Sequence, residues 1–374
     1  MTSVRFELPP HIDPLQLQPE EYAAYVSRRN MALHQRASVL LEELGIEEKV
    51  RELCGFDEST EESRIGIVSN GSDGRGENCS SPLEPIILLE KRVPLEIALK
   101  VRKEIDALLS SVQAEVSVGT EKHHGPSIAL SDSVFDPVVE LKVLEDGSVA
   151  RYRDEQMAFG DYWPSRVTDT FAMLPDRGLL ARTRLQMLLE EIRTPQGKKM
   201  IEREDRRRGS AGVICAENGM QKFAGAPLNH FDLQQGIATY TRTHDGPNQR
   251  SFKYGPLRLV QHTLQAELLR YLSRTDEESA KVLLLELPRE TRERLLLLQD
   301  RNVLGISHVE AERLSTLYVY FLQLYHLSEF QYLITSGKQS VVELPDSGLA
   351  QENIDELAVK LAELRRRRPA YIRG

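Results

Sequence analysis

Seven consecutive residues carry the clearest chemistry in this chain: Gly71-Ser72-Asp73-Gly74-Arg75-Gly76-Glu77. Glycines let a backbone approach an anion closely, and N–H groups at a helix start attract negative charge. Arg75 adds a planar, permanently charged fork that suits phosphate oxygens. The flanking sequence gives this turn a setting. Ile65 to Val68 is a short apolar run that reads as a buried strand, and Pro85 to Leu89 reads as another. Strand, Gly-Ser turn, short helix, strand is a phosphate-handling layout. A tight turn in an α/β domain uses the same residues, so the turn alone leaves both readings open.

Other reactive types lie further along. Arg166 and Asp169 stand three apart at the opening of a predicted helix. They suit either a cleft wall or a surface pair worth a few tenths of a kcal/mol. Lys253 and Arg258 flank a Gly-Pro turn, where one of them could face phosphate. His123-His124 is a poor chelate, because adjacent side chains point to different sides in either regular structure. The three cysteines, Cys54, Cys79 and Cys215, are far apart with no C-x-x-C spacing. That argues for a reducing compartment and against a disulfide or zinc framework.

The elements that must position these residues follow from periodicity and punctuation. Pro19-Glu20-Glu21 opens a helix that runs to Leu44, with Gly45 as its stop and Ile46 to Cys54 as a further short helix. Pro94 to Val112 is strongly amphipathic. Ser127 to Leu130 reads as a strand, as does Pro137 to Leu144, with a hairpin turn at Glu145 to Ser148 into Val149 to Tyr152. From Trp163 the character changes. Ser165 to Ile192 reads as mostly helical, Thr194 to Gly212 as a charged, exposed helix and loop, and Gly209 to Arg250 as a loop region. Phe252 to Ser273 reads as loop then helix, and further helices follow over Asp276 to Leu287, Pro288 to Asp300, Ser307 to Leu333 and Glu352 to Arg367. Ser307 and Glu310 have the spacing of a capping box. The aromatic cluster around Tyr318 and Phe321 reads as bundle core.

The chain has 374 residues, 40% of them hydrophobic, enough for two or three domains. Its net charge of −9 argues against a general affinity for nucleic acid; the Arg365 to Arg368 run is the exception. No apolar stretch is long enough to span a bilayer, so no membrane role is expected. Met1 to Pro14 has no basic region followed by an apolar core. A cytoplasmic location is therefore expected, with signal-less secretion left open.

Taken in order, several segments resemble a known family. Gly71 to Glu77 resembles the signature of the nucleotidyltransferase superfamily, in the group of the protein-PII uridylyltransferases. It is more similar to the nucleotidyltransferase-like proteins found with cyclic-nucleotide-binding and CBS modules. Ser165-Arg-Val-Thr-Asp169 resembles that family's Ser/Thr-Arg-x-x-Asp stretch, and Lys253-Tyr-Gly-Pro-Leu-Arg258 its Lys-x-Gly-Gly-Leu-Arg segment. Thr291 to Leu295 and Ser307 to Gln331 resemble its final helices.

The resemblance implies an α+β fold: a nucleotidyltransferase-like mixed sheet with helices, then a C-terminal helical bundle domain. On this reading residues 1–60 are a helical lead-in, 61–162 the α/β domain and 163–374 the helical domain. It implies NMP transfer from an NTP to a hydroxyl, on a protein or another acceptor, with Mg²⁺ held by carboxylates. Nucleotide contacts would come from Gly71, Ser72, Gly74, Arg75, Arg166, Asp169, Lys253 and Arg258. One departure matters. The family's Ser-Asp-x-Asp aligns with Ser81-Pro82-Leu83-Glu84, so Pro82 replaces an acid and only Glu84 remains as metal ligand. Further acids would have to come from Asp132, Asp136 or Glu140. One carboxylate holds Mg²⁺ weakly. The alternative is a catalytically inactive pseudo-nucleotidyltransferase that serves as a nucleotide- or protein-binding regulatory module.

Overall fold

The computed structural model describes residues 13–57, 65–69, 71–77, 85–89, 96–97, 100–101, 103–105, 108, 127–130, 141–143, 149–151, 168–169, 171–173, 185, 189, 192–220, 252–334 and 347–366. They form an α+β chain, mostly helical, in two compact units. The first draws on residues 25–196 and 277–290, the second on 13–24, 197–276 and 291–366.

Helix α1 (Pro19–Glu43) starts as its sequence demands, with proline at the first position and Glu20 and Glu21 in the first turn. Helix α2 (Ile46–Cys54) lies between Gly45 at φ 57° and Gly55 at φ 67°. The Gly55 N–H closes the helix onto the carbonyls of Arg51 and Glu52. Two strands then bracket the Gly-rich turn: β1 (Ile65–Ser69) and β2 (Pro85–Leu89), with the four-residue helix α3 (Gly71–Gly74) after β1. Strands β3 (Ser127–Leu130), β4 (Leu141–Val143), β5 (Val149–Arg151) and β6 (Phe171–Ala172) follow.

The main sheet is mixed, in the order β3-β2-β1-β6. Strand β1 is antiparallel to β2, from Ile65 opposite Leu89 to Ser69 opposite Pro85, and antiparallel to β6 on its other edge. Strands β2 and β3 run parallel, and β4 and β5 form a separate hairpin ladder. All five residues of β1 are buried, which explains its unbroken apolar run. Its core partners are Leu33, Ala37 and Leu41 of α1, Ile46 and Val50 of α2, Ile87 of β2, Val101, Ile105 and Met173. Each such fully buried aliphatic contributes roughly 1.5–3 kcal/mol. Helix α4 spans Pro195–Met220. Within the first unit, Ala280, Leu283 and Leu284 are the buried face of a helix at Glu277–Glu286.

The second unit is a helical bundle. It contains most of α4, then α5 (Arg258–Leu272), α7 (Thr291–Asp300), α8 (His308–Ile334) and α9 (Ser347–Arg366); α6 is the Glu277–Glu286 helix of the first unit. A π-helical turn at Lys253–Leu257 leads into α5. Pro256 inside it has no N–H to give, and the Leu257 N–H reaches back five residues to the Phe252 carbonyl at 3.1 Å. The capping box at the head of α8 forms: the Ser307 N–H donates to Glu310 at 2.8 Å, and the Glu310 N–H to Ser307 Oγ at 3.3 Å. Tyr318 and Phe321 are buried in the bundle core. Gln323 fixes the start of the unit by donating to the carbonyls of Pro14 and Leu17 at 2.7 and 2.9 Å.

Within Ser165–Ile192, read as mostly helical, the structure adds the strand β6. A two-residue strand is too short to show any period, and its sheet partner lies a hundred residues upstream. The loop read from Gly209 gives way to α4, which continues to Met220. The charged stretch read as exposed carries buried groups: Glu204 and Arg208 are 0% and 6% exposed. Arg208 pairs with Asp205 on its own helix and with Glu267 across on α5, while Glu204 meets His262 at 2.9 Å. Charges enter an interior when they are paired, and these are.

Candidate functional site

The turn that follows β1 is built by short-range hydrogen bonds. The Arg75 N–H donates to the Gly71 carbonyl at 3.0 Å, and the Glu77 N–H to that of Ser72 at 2.9 Å. Gly71 and Gly76 take positive φ, 66° and 73°, a region that costs any residue with a Cβ. Gly71 and Ser72 are half-buried at the start of the turn.

Arg75 lies inward. Its side chain is 6% exposed; Nε donates to Glu77 at 2.8 Å and Nη1 to Asp169 at 2.6 Å. Both acids are buried as well. Two of the residues expected on a nucleotide, Arg75 and Asp169, are thus brought together, and the bond between them is to each other. Gly74 explains how the chain gets so close. A Cβ on Gly74 would fall 1.7 Å from the Asp169 carbonyl oxygen and 2.9 Å from that of Ser69.

Two further residues complete this corner, and neither was singled out from the sequence. Arg289, just past α6, donates from Nε to the Gly74 carbonyl at 2.7 Å. Its Nη2 lies 2.5 Å from His34 Nε2; arginine can only donate, so this nitrogen accepts. The guanidinium carbon sits 4.3 Å above the centre of the Phe171 ring, a cation–π contact, and His34 meets the same ring edge-on. Gly76 leaves the space: a Cβ there would come within 3.2 Å of Arg289 Nε. Ser38 Oγ donates to the Met173 carbonyl, which ties α1 to the end of β6. His34 and Arg289 are 255 residues apart in sequence, so no local spacing could pair them. The one available signal was a polar, uncharged face on α1.

The remaining expected residues divide into two sets. Glu84, Asp136, Glu140 and Arg166 lie outside the described residues, as do Asp132 and His123-His124. Lys253 and Arg258 belong to the second unit, the first opening the π-helical turn and the second opening α5. Arg258 is half-buried there, and its charge is among the causes that hold down the pKa of His262. Burial is the largest of these causes, and the Glu204 carboxylate opposes them.

Among the described residues no group of three or more His, Cys, Asp or Glu side chains is placed to hold a metal ion. Glu77 of the turn and Asp169 beside it both engage Arg75. An acid pair already bridged by a guanidinium does not offer a hard cation the open set of oxygens it requires. These residues do not fit a Mg²⁺ site. No helix among the described residues is long and apolar enough to cross a membrane. No protein-family model matches the chain, and no curated protein matches it.

Proposed function

We propose that the chain is a nucleotidyltransferase-like protein that acts as a nucleotide- or protein-binding regulatory module rather than as a transferase. The observation that carries this reading is the Arg75 cluster. The cation best suited to clamp a phosphate is buried between Glu77 and Asp169, so its charge holds the turn together. The β1–Gly-Ser turn–β2 arrangement supports the family resemblance, and the half-buried Gly71-Ser72 end supports a retained phosphate contact. Pro82, at the place of a metal-binding acid, supports the loss of transfer.

Ser72 also favours a second reading. A half-buried serine at the head of such a turn suits NMP transfer from an NTP, with Glu84 holding Mg²⁺ and the turn holding the phosphates.

Thermal-shift titration with the four NTPs, with Mg²⁺ and then with EDTA, separates the two. A ligand that binds the folded state raises Tm by mass action. Metal-independent stabilisation is the expected result. Stabilisation that needs Mg²⁺, together with NTP turnover lost in a Ser72→Ala/Glu84→Ala double variant, would replace the module reading with the transferase. No response to any NTP under either condition would remove the nucleotide and leave protein binding alone.

A further inference from the structure

Strand β6 ends the main sheet, and its outer edge carries main-chain groups that β1 does not use. The alternation of an antiparallel ladder shows which they are. The Met173 N–H donates to the Ile67 carbonyl at 2.8 Å. Two residues back along the ladder, Ser69 opposite Phe171 is therefore the next hydrogen-bonded pair. Val68 opposite Ala172 lies between the two, so the N–H and C=O of Ala172 point away from β1. Among the described residues nothing takes them up.

Ala172 also lines a cavity of about 680 Å³ within the first unit, together with Phe171 and Met173. Much of the remaining wall is one face of α1, which brings Met31 and Val39. Met31, Phe171 and Val39 are open to solvent, at 53%, 41% and 37% exposed. Charge on the wall cancels. Arg289 and Glu290 contribute one cation and one anion, and His34 is neutral, because its Nε2 accepts from Arg289.

We propose that this edge and cavity take up an extended, apolar peptide segment of a partner protein as an added strand. A peptide main chain carries the C=O and N–H that match those of Ala172 across a ladder. Its alternate side chains then enter the cavity against Met31, Val39 and Phe171. A wall without net charge suits uncharged side chains and gives a run of acidic or basic ones no counter-charge. A helical partner keeps its N–H and C=O groups for its own turns and leaves those of Ala172 unmet. A second copy of β6 is a poor occupant, since a two-residue edge is too short to hold another sheet by pairing alone. The partner must fill the cavity as well. The inference rests on the protein-binding half of the reading above and gives it a place.

Panning a displayed library of short random peptides on the full chain, then fluorescence anisotropy on the enriched sequences, tests the proposal. Enriched peptides carry apolar residues at alternate positions. Met31→Glu weakens their binding about tenfold or more, and at 53% exposure the side chain can change without unfolding the core. Ala172→Pro does the same, because proline is tolerated on an outer edge and deletes only the outward N–H. Methylating the peptide amides one at a time abolishes binding at one position and spares its neighbours, whose N–H groups face away from the edge. No enrichment over the bare support overturns the proposal. So does binding that survives both substitutions, or a bound peptide that is helical by circular dichroism. A concentration-dependent dimer that Ala172→Pro dissolves gives the edge to a second copy and overturns it too. Metal-independent stabilisation by NTPs, in a chain that selects no peptide, overturns this proposal and leaves the nucleotide half of the reading standing.

Discussion

Arg75 and Asp169 are 94 residues apart in sequence and 2.6 Å apart in space, with both side chains under a tenth exposed. Such a pair is asymmetric in its energetics. Removing one partner leaves a charge buried and uncompensated, at about 3–5 kcal/mol, whereas an apolar replacement of both is often near neutral. Asp169→Leu and Arg75→Met should each lower the urea midpoint strongly. The double variant should lose less than the sum of the two single losses, although Glu77 stays buried without its cation. A double-mutant cycle in urea reads this directly, and strictly additive losses would contradict the coupling. Arg75→Lys should behave like a loss too, since an ammonium cannot serve two acids with a planar fork.

The two glycines of the turn should differ in their response to alanine. At Gly74 the new Cβ meets the backbone oxygen of Asp169 at 1.7 Å, and backbone cannot step aside cheaply. At Gly76 the nearest atoms, from 3.2 Å, belong to the Arg289 side chain, and the left-handed φ of 73° adds about 1–2 kcal/mol. Gly74→Ala is therefore expected to cost more stability than Gly76→Ala, in melting temperature and in soluble yield. Equal losses would mean that the Asp169 segment can shift to make room.

His262 gives the second unit an acid sensitivity. Burial holds its pKa below the ordinary 6.5, against the pull of the Glu204 hydrogen bond. The unfolded chain takes up this proton near 6.5, while the folded chain resists it to lower pH. The stability is thus present above pH 6.5 and lost as pH falls below it. Glu267 works in the opposite sense: burial raises its pKa above 4.5, so its contribution is present below that value and lost as pH rises. His262→Gln should flatten the fall in melting temperature between about pH 7 and pH 5. An unchanged slope would assign the fall to other groups.

What the sequence disclosed and what it withheld divide along contact distance. Pro19, Gly45, Gly55 and the Ser307–Glu310 pair act within a few residues, and the helices they delimit agree with the structure nearly to the residue. Strands β1 and β2 were visible because each is a short, unbroken apolar run. Strand β6 has two residues and no pattern to read; only its pairing with Val68 and Ser69 makes it a strand. The corner of the site suffers most from this limit. Arg75 looks like a phosphate ligand in one dimension, because the acid that engages it stands 94 residues further along the chain, just before β6. His34 was hidden among the polar residues of a long helix, and Arg289 behind the Pro288 break.

Strand β6 also sets an order in time. The β1–β2 pairing closes a loop of about 15 residues, while β6 must return across some hundred before Asp169 meets Arg75. Long closures come late when their entropy is repaid only at the end. The Arg75–Asp169 bond is then expected to form after the folding barrier. Its removal should leave the refolding arm of a chevron nearly in place and steepen the escape from the native state, which makes this ion pair a latch on lifetime more than a guide to assembly.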